Sequence, residues 1–226
     1  MRDELIDAFF DEVGAAPAPA NPGQNQTPKA PGNLNPGTPM DGGYIVTIPL
    51  ENGKKKYVCN IDLFVGRANP YFNLIHILHM ADAGDEVVLN LYTYGGSVET
   101  GCMIINAMKH TKATVKTVAL GICASIGAMI WSCGSIREVS DTATIMFHMP
   151  SGLTYGKTAD NEEESRQIQE YFSEFMRTAT EGLLTADELE KIINRRVDLF
   201  IPAATMKARL EQLQQTKTEV VPNEQI

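Results

Sequence analysis

Two spacings of apolar residues organise the chain beyond residue 43. Short continuous or alternating runs give way to segments with apolar positions at i, i+3, i+4 and i+7. GYIVTIPL (43–50) and KKYVCNIDLFV (55–65) predict strands around the turn Asn52-Gly53. Asn69-Pro70 then caps a helix with Tyr71, Leu74, Ile75 and Leu78 on one face, closed by Gly84. Residues 86–92 (EVVLNLY) read as a strand, 93–97 (TYGGS) as a glycine turn, and the residues through Lys109 as a helix. A strand over 114–120, a turn over 121–124 and a helix over 125–133 follow, then a strand over 142–147 that runs into His148. A long polar helix covers 159–181, and Thr185-Ala186-Asp187-Glu188 has the form of a capping box opening another. Pro202 stands at the first position of a last helix, over 204–215, with no strand expected ahead of it. Alternating strands and helices, with strands apolar on both faces, predict an α/β fold around a buried, largely parallel sheet.

The chain before residue 44 reads differently. Leu5, Ile6, Phe9, Phe10 and Val13 share a helical face, so residues 1–14 predict an amphipathic helix. Residues 15–43 hold seven of the twelve prolines and five glycines, the composition of a flexible linker. The expected organisation is therefore a helix (1–14), a linker (15–43), a folded domain (44–215) and a short tail (216–226).

Charge and composition narrow the function. A net charge of −9 without any basic stripe argues against a nucleic-acid partner. The apolar run around Ser125 spans about 14 residues, short of the roughly 20 that cross a bilayer, and the acidic N-terminal segment lacks the order of a signal peptide. The four cysteines (Cys59, Cys102, Cys123, Cys133) form no CxxC pair and read as reduced thiols. A cytoplasmic protein with no membrane partner is expected.

Candidate chemistry sits where strands give way to helices. Ser125 is a polar residue inside the apolar run GICASIGAMIWSCGS (121–135). At the start of a helix its oxygen would lie beside backbone N–H groups able to hold an anion, among them those of Gly96 and Ile126. Such a serine is also an ordinary small core residue, and the text C-A-S-I-G is not a GxSxG elbow. Among the four histidines, His76 and His79 stand three apart on one helix without an evident third ligand, and His110 ends a helix. His148 alone leaves an apolar strand, a natural place for a general base. Asp141, Asp160, Asp187 and Asp198 are all available to orient it, and spacing does not choose among them.

Four blocks in order resemble the ClpP-type serine peptidases, the proteolytic subunits of the Clp protease. Gly95-Gly96-Ser97 resembles the family's S-P-G-G-S turn, and Gly121 through Ala128 its G-x-A-A-S-M-G-A. Ile145-Met146-Phe147-His148-Met149-Pro150 is similar to V-M-I-H-Q-P, and Arg196 through Ala203 to R-D-x-F-x-S-A. The resemblance covers about 44–205. Tyr94, Met149 and the single Gly152 depart from the common text, in the manner of the divergent versions found in tailed phages. The resemblance implies a ClpP/crotonase-like spiral of strand-helix units with a protruding handle helix. It further implies a serine endopeptidase with Ser125 as nucleophile, His148 as base, Asp198 as the third triad member, and Gly96 and Ile126 as oxyanion donors. No metal or organic cofactor is implied. The partners implied are polypeptide substrates, further copies of the chain in a ring or stacked rings, and an ATP-dependent unfoldase. The helix over 159–181 corresponds to the handle, and its stripe of Ile168, Tyr171, Phe172, Phe175 and Met176 is expected to pack between rings. On periodicity alone the stripe would pack on its own domain. Two other readings remain: a crotonase-type acyl-CoA enzyme, and a ring or scaffold subunit with a degraded site.

Overall fold

The structure is a computed structural model, and it describes residues 45–65, 71–150 and 160–219. The helix expected over 1–14, the linker over 15–43, the Asn69-Pro70 cap and Gly152 lie outside the described residues. All the described residues fall in one unit, 34–226.

Strand β1 (Ile45–Pro49) turns at Asn52 and Gly53, both with positive φ, into β2 (Lys55–Val65), and the two pair antiparallel. Helix α1 (Phe72–Met80) follows, with Leu74, Ile75 and Leu78 buried as their spacing requires. Then come β3 (Glu86–Gly96), α2 (Val98–His110), β4 (Thr114–Ala124) and α3 (Ile126–Ser132). Two short strands, β5 (Ile136–Val139) and β6 (Thr144–Phe147), precede the long α4 (Asp160–Ala179). The described chain ends with α5 (Ala186–Ile193), β7 (Leu199–Pro202) and α6 (Ala203–Glu219).

These strands form one mixed sheet in the order β1-β2-β3-β4-β6-β7, with β5 paired to the first half of β4. Strands β2 through β6 run parallel, and the antiparallel β1 and β7 close the two ends. Alternation explains the layering: in β2, Cys59 and Ile61 are buried while Asn60 and Asp62 are exposed. The buried face meets the helices. Gly101 of α2 lies so close to α3 that an added Cβ would stand 2.0 Å from Ile126 Cγ1. The opposite face carries the ion pairs Lys56–Glu86 at 3.2 Å and Lys116–Glu138 at 2.7 Å, with exposed Tyr92 and Leu120.

Four expectations are corrected. The glycine turn over 93–97 is strand as far as Gly96. Gly95 and Gly96 take φ of 108° and 135°, and an added Cβ at Gly96 would meet Val65 O at 2.2 Å, so only glycine lets β3 pair with the end of β2. The turn over 121–124 is likewise strand, because Ile122, Cys123 and Ala124 pair with Thr144, Ile145 and Met146. Strand β5 was not expected: Arg137 and Glu138 interrupt its apolar text, and its place is fixed by tertiary contact, Trp131 Nε1 donating to Glu138 O at 2.9 Å. Strand β7 was not expected either, and Pro202 is its last residue rather than the first of a helix. An edge strand tolerates proline because one row of its N–H groups has no partner to serve.

Candidate active site

The sheet itself assembles the site. Strands β4 and β6 are parallel neighbours with Ala124 opposite Met146, so both end at the same edge of the sheet. Ser125 is the first residue after β4, and its backbone N–H donates to Met146 O at 2.9 Å. His148 is the first residue after β6. Strand β7 runs the other way, with Leu199 opposite Phe147, so the residue before it, Asp198, meets the residue after β6. Three side chains spread over 73 positions of sequence are thus brought to one rim by pairing register.

Ser125 Oγ lies 2.7 Å from His148 Nε2, a short hydrogen-bond distance. His148 Nδ1 is 3.6 Å from Asp198 Oδ1, which is ion-pair separation and longer than a hydrogen bond. The histidine side chain is 23% exposed and the aspartate 58%, so the charge stands at the wet end of the row.

Ser125 has φ 56° and ψ −126°, a conformation that L-residues rarely take and that costs on the order of 1–3 kcal/mol. It forms the corner between β4 and α3, and a strand that turned there in an ordinary conformation would carry the hydroxyl elsewhere. Gly95 makes room for the corner. An added Cβ at Gly95 would stand 2.6 Å from Ser125 Cβ and 3.1 Å from its Oγ. On the far side, Gly127 is pressed on Thr93, whose Cγ2 would be 2.3 Å from an added Cβ. Gly96 follows Gly95 at the end of β3, and Ile126 opens α3, where the first backbone N–H groups of a helix have no partner within it.

The remaining candidates lie elsewhere. Asp141 pairs with Lys207 of α6, and Asp187 with Lys191 at 2.7 Å within α5. Asp160 opens α4, and its side chain is outside the described residues. His76 and His79 are exposed on α1, and His110 Nδ1 lies 2.7 Å from Asn106 O. Cys123, two residues before Ser125, is fully buried, and burial pushes its thiol far above the ordinary range. Cys59 is pushed up to about 12, by burial first and by Asp62 second. Neither thiol is suited to nucleophilic work, which needs the thiolate. Residue patterns singled out Ser125 and His148 and the family resemblance named Asp198, and the structure brings these three side chains together. Sequence reasoning missed the elbow-like strain at Ser125, which no GxSxG text announces.

A family model described as Clp protease matches residues 62–209. The chain is similar to the ATP-dependent Clp protease proteolytic subunits of Streptococcus pneumoniae strains Hungary19A-6, CGSP14 and ATCC 700669 / Spain 23F-1. Each is 33% identical over 129 residues, which are 56% of this chain and 59% of the relative. The aligned stretch thus spans about three fifths of these relatives' length. Since the family match runs over more than half of the chain and contains Ser125, His148 and Asp198, the chain belongs to the Clp protease family.

Proposed function

We propose that the protein is a serine-type endopeptidase. Ser125 Oγ attacks the carbonyl carbon of a peptide bond, and His148 Nε2 takes its proton and returns it to the leaving amine. Asp198 holds the imidazole with its Nδ1–H outward and offsets the charge that forms on it. The backbone N–H groups of Gly96 and Ile126 receive the oxyanion, which needs donors placed before charge develops. Water then releases the acyl group by the same steps in reverse. The observation that carries this reading is the 2.7 Å contact between Ser125 and His148 at a strained, glycine-flanked corner. A merely structural serine has no reason to hold a costly backbone conformation beside a histidine nitrogen.

Substrates are polypeptides. The relatives' description as subunits of an ATP-dependent protease supports an oligomeric ring fed by an ATP-dependent unfoldase. Enclosure also suits the chemistry, since an open serine protease would attack its neighbours. No organic or metal cofactor enters these steps. Among the described residues, no helix is long and apolar enough to cross a membrane.

A fluorophosphonate serine probe on the full chain tests the assignment. Labelling at Ser125, found by peptide mass, supports it. Ser125→Ala is expected to lose on the order of 10^6-fold in peptidase rate with unchanged thermal unfolding. A variant that keeps a tenth of the activity would overturn the reading.

A further inference from the structure

The C-terminal ends of three helices converge on a cleft of about 540 Å3 that shares no lining residue with the candidate active site. Lys109 stands one residue from the end of α2, Ser132 closes α3 and Ala179 closes α4. Leu213 of α6 walls it, and a smaller hollow of about 120 Å3 shares Leu213 and Arg137 with it and adds Leu210.

The last carbonyls of a helix have no acceptor role within it and carry the negative end of its dipole. Two cations line the cleft. Arg137 Nη1 donates to Ser132 O at 3.2 Å, and Lys109 Nζ lies 5.9 Å from the centroid of the Phe175 ring. Neither is within ion-pair distance of a carboxylate among the described residues. Arg137 is half-buried, and that burial works against its charge. Among the described residues one carbonyl takes one of its five N–H donors, so the half-buried guanidinium has donors left for an incoming acceptor. With Glu181 also in the lining, the cleft carries one net positive charge.

We propose that this cleft binds an acidic peptide segment, its carboxylate held by Lys109 and Arg137 and its aliphatic carbons set against Leu213, Ala179 and Leu210. A peptide fits better than a free oxyanion. A free oxyanion would use the cations alone, whereas a peptide brings a carboxylate for the cations and aliphatic carbons for the apolar wall. The apolar wall of Leu213, Ala179 and Leu210 suits the aliphatic carbons of such a segment. This site stands independently of the peptidase reading.

Fluorescence polarisation on the full chain tests it, with a fluorescein-labelled acetyl-Leu-Glu-Leu-Glu-Leu amide and its glutamine counterpart as probes. Measurements are made with and without a fluorophosphonate on Ser125. Saturable binding of the glutamate peptide is expected in both cases, about tenfold weaker for the glutamine peptide and for Lys109→Gln/Arg137→Gln. Equal binding of the two peptides, undiminished binding by the double variant, or no saturable binding overturns the proposal. Loss of binding on fluorophosphonate treatment places the peptide in the active site and overturns it too. If the double variant does not fold, Lys109→Gln, at an exposed position, is expected to weaken binding about threefold, and no change overturns the proposal. Inorganic phosphate that binds where the peptide does not means a small-anion site only, which also overturns it.

Discussion

A methyl group at Gly95 would have nowhere to go. It would stand 2.6 Å from Ser125 Cβ, and the backbone there has φ 108°, which a side chain resists even in open space. Gly95→Ala is therefore expected to displace Ser125 from His148 and lower peptidase activity by about 10^2-fold or more, since a shift of about 1 Å in a reacting group costs that much. Fluorophosphonate labelling and thermal unfolding separate this from general unfolding, and a fully active Gly95→Ala would mean that Ser125 is not the nucleophile. Asp198→Asn is expected to lower the rate by on the order of 10^2 to 10^4-fold while Asp141→Asn, whose carboxylate serves Lys207, leaves it unchanged. The reverse result would reassign the third residue. At this scale much was legible in the text. A serine among small residues at a strand exit and the one histidine leaving an apolar strand are local features. The choice of Asp198 over Asp141, Asp160 and Asp187 was not, because it depends on β7 running antiparallel to β6, which residue spacing does not encode. The resemblance to a known family supplied it instead.

Among the elements, strand–helix alternation was legible because apolar periodicity is local, and the errors cluster where tertiary pairing decides. Glycines inside β3 and β4 read as turns because glycine is poor in a strand interior, yet there they allow backbones and the Ser125 corner to close up. Helix α5 was legible for the opposite reason: its cap is written in four consecutive residues. Thr185 Oγ1 accepts from the Glu188 N–H at 3.2 Å, and Glu188 Oε2 accepts from the Thr185 N–H at 2.9 Å. Glu188 also ties α5 to α6, accepting from Arg209 Nη2 at 2.7 Å and Nη1 at 3.0 Å, while Nη1 reaches Leu183 O at 2.8 Å. Burial pushes the Glu188 carboxyl up, but the hydrogen bonds from Arg209 and Thr185 outweigh it and leave the group below its ordinary value. A carboxylate depressed in the folded state stabilises fully above its unfolded pKa, roughly 4.3, and loses that contribution as the pH falls through the folded value. Glu188→Ala leaves a half-buried guanidinium without its partner and is expected to cost on the order of 2 kcal/mol or more at neutral pH. Urea unfolding at pH 7 and pH 3 checks this: the gap between wild type and variant should narrow in acid, and an unchanged gap would show that the carboxylate is not the stabilising group.

For the whole molecule, the long helix decides how assembly can be probed. Phe172 and Met176 of α4 are buried within the chain's own core and Phe175 packs partly against it, whereas Tyr171 is 57% exposed. The stripe expected between rings is thus chiefly an inward face, as its ordinary periodicity allowed, because a buried stripe and a projecting one have the same spacing. Phe172→Ser consequently tests the fold: it should cost about 3–5 kcal/mol, and lost activity would follow from lost structure. Tyr171 is the residue through which α4 can be tested for contact with another copy. Its ring lies 5.2 Å from Phe172 and 6.3 Å from Phe175, and its hydroxyl hydrogen-bonds the Cys102 thiol of α2, so the side chain is held while more than half of the residue stays exposed. If rings pack through this helix, the wild-type chain has a solution mass that is a multiple of 24.8 kDa, and Tyr171→Asp lowers that mass and the peptidase rate together while thermal unfolding of the subunit barely moves. Mass measurement by light scattering reads all three outcomes apart. An unchanged assembly in Tyr171→Asp would place the contact elsewhere on the subunit, and a fully active wild-type monomer would remove the ring from the mechanism.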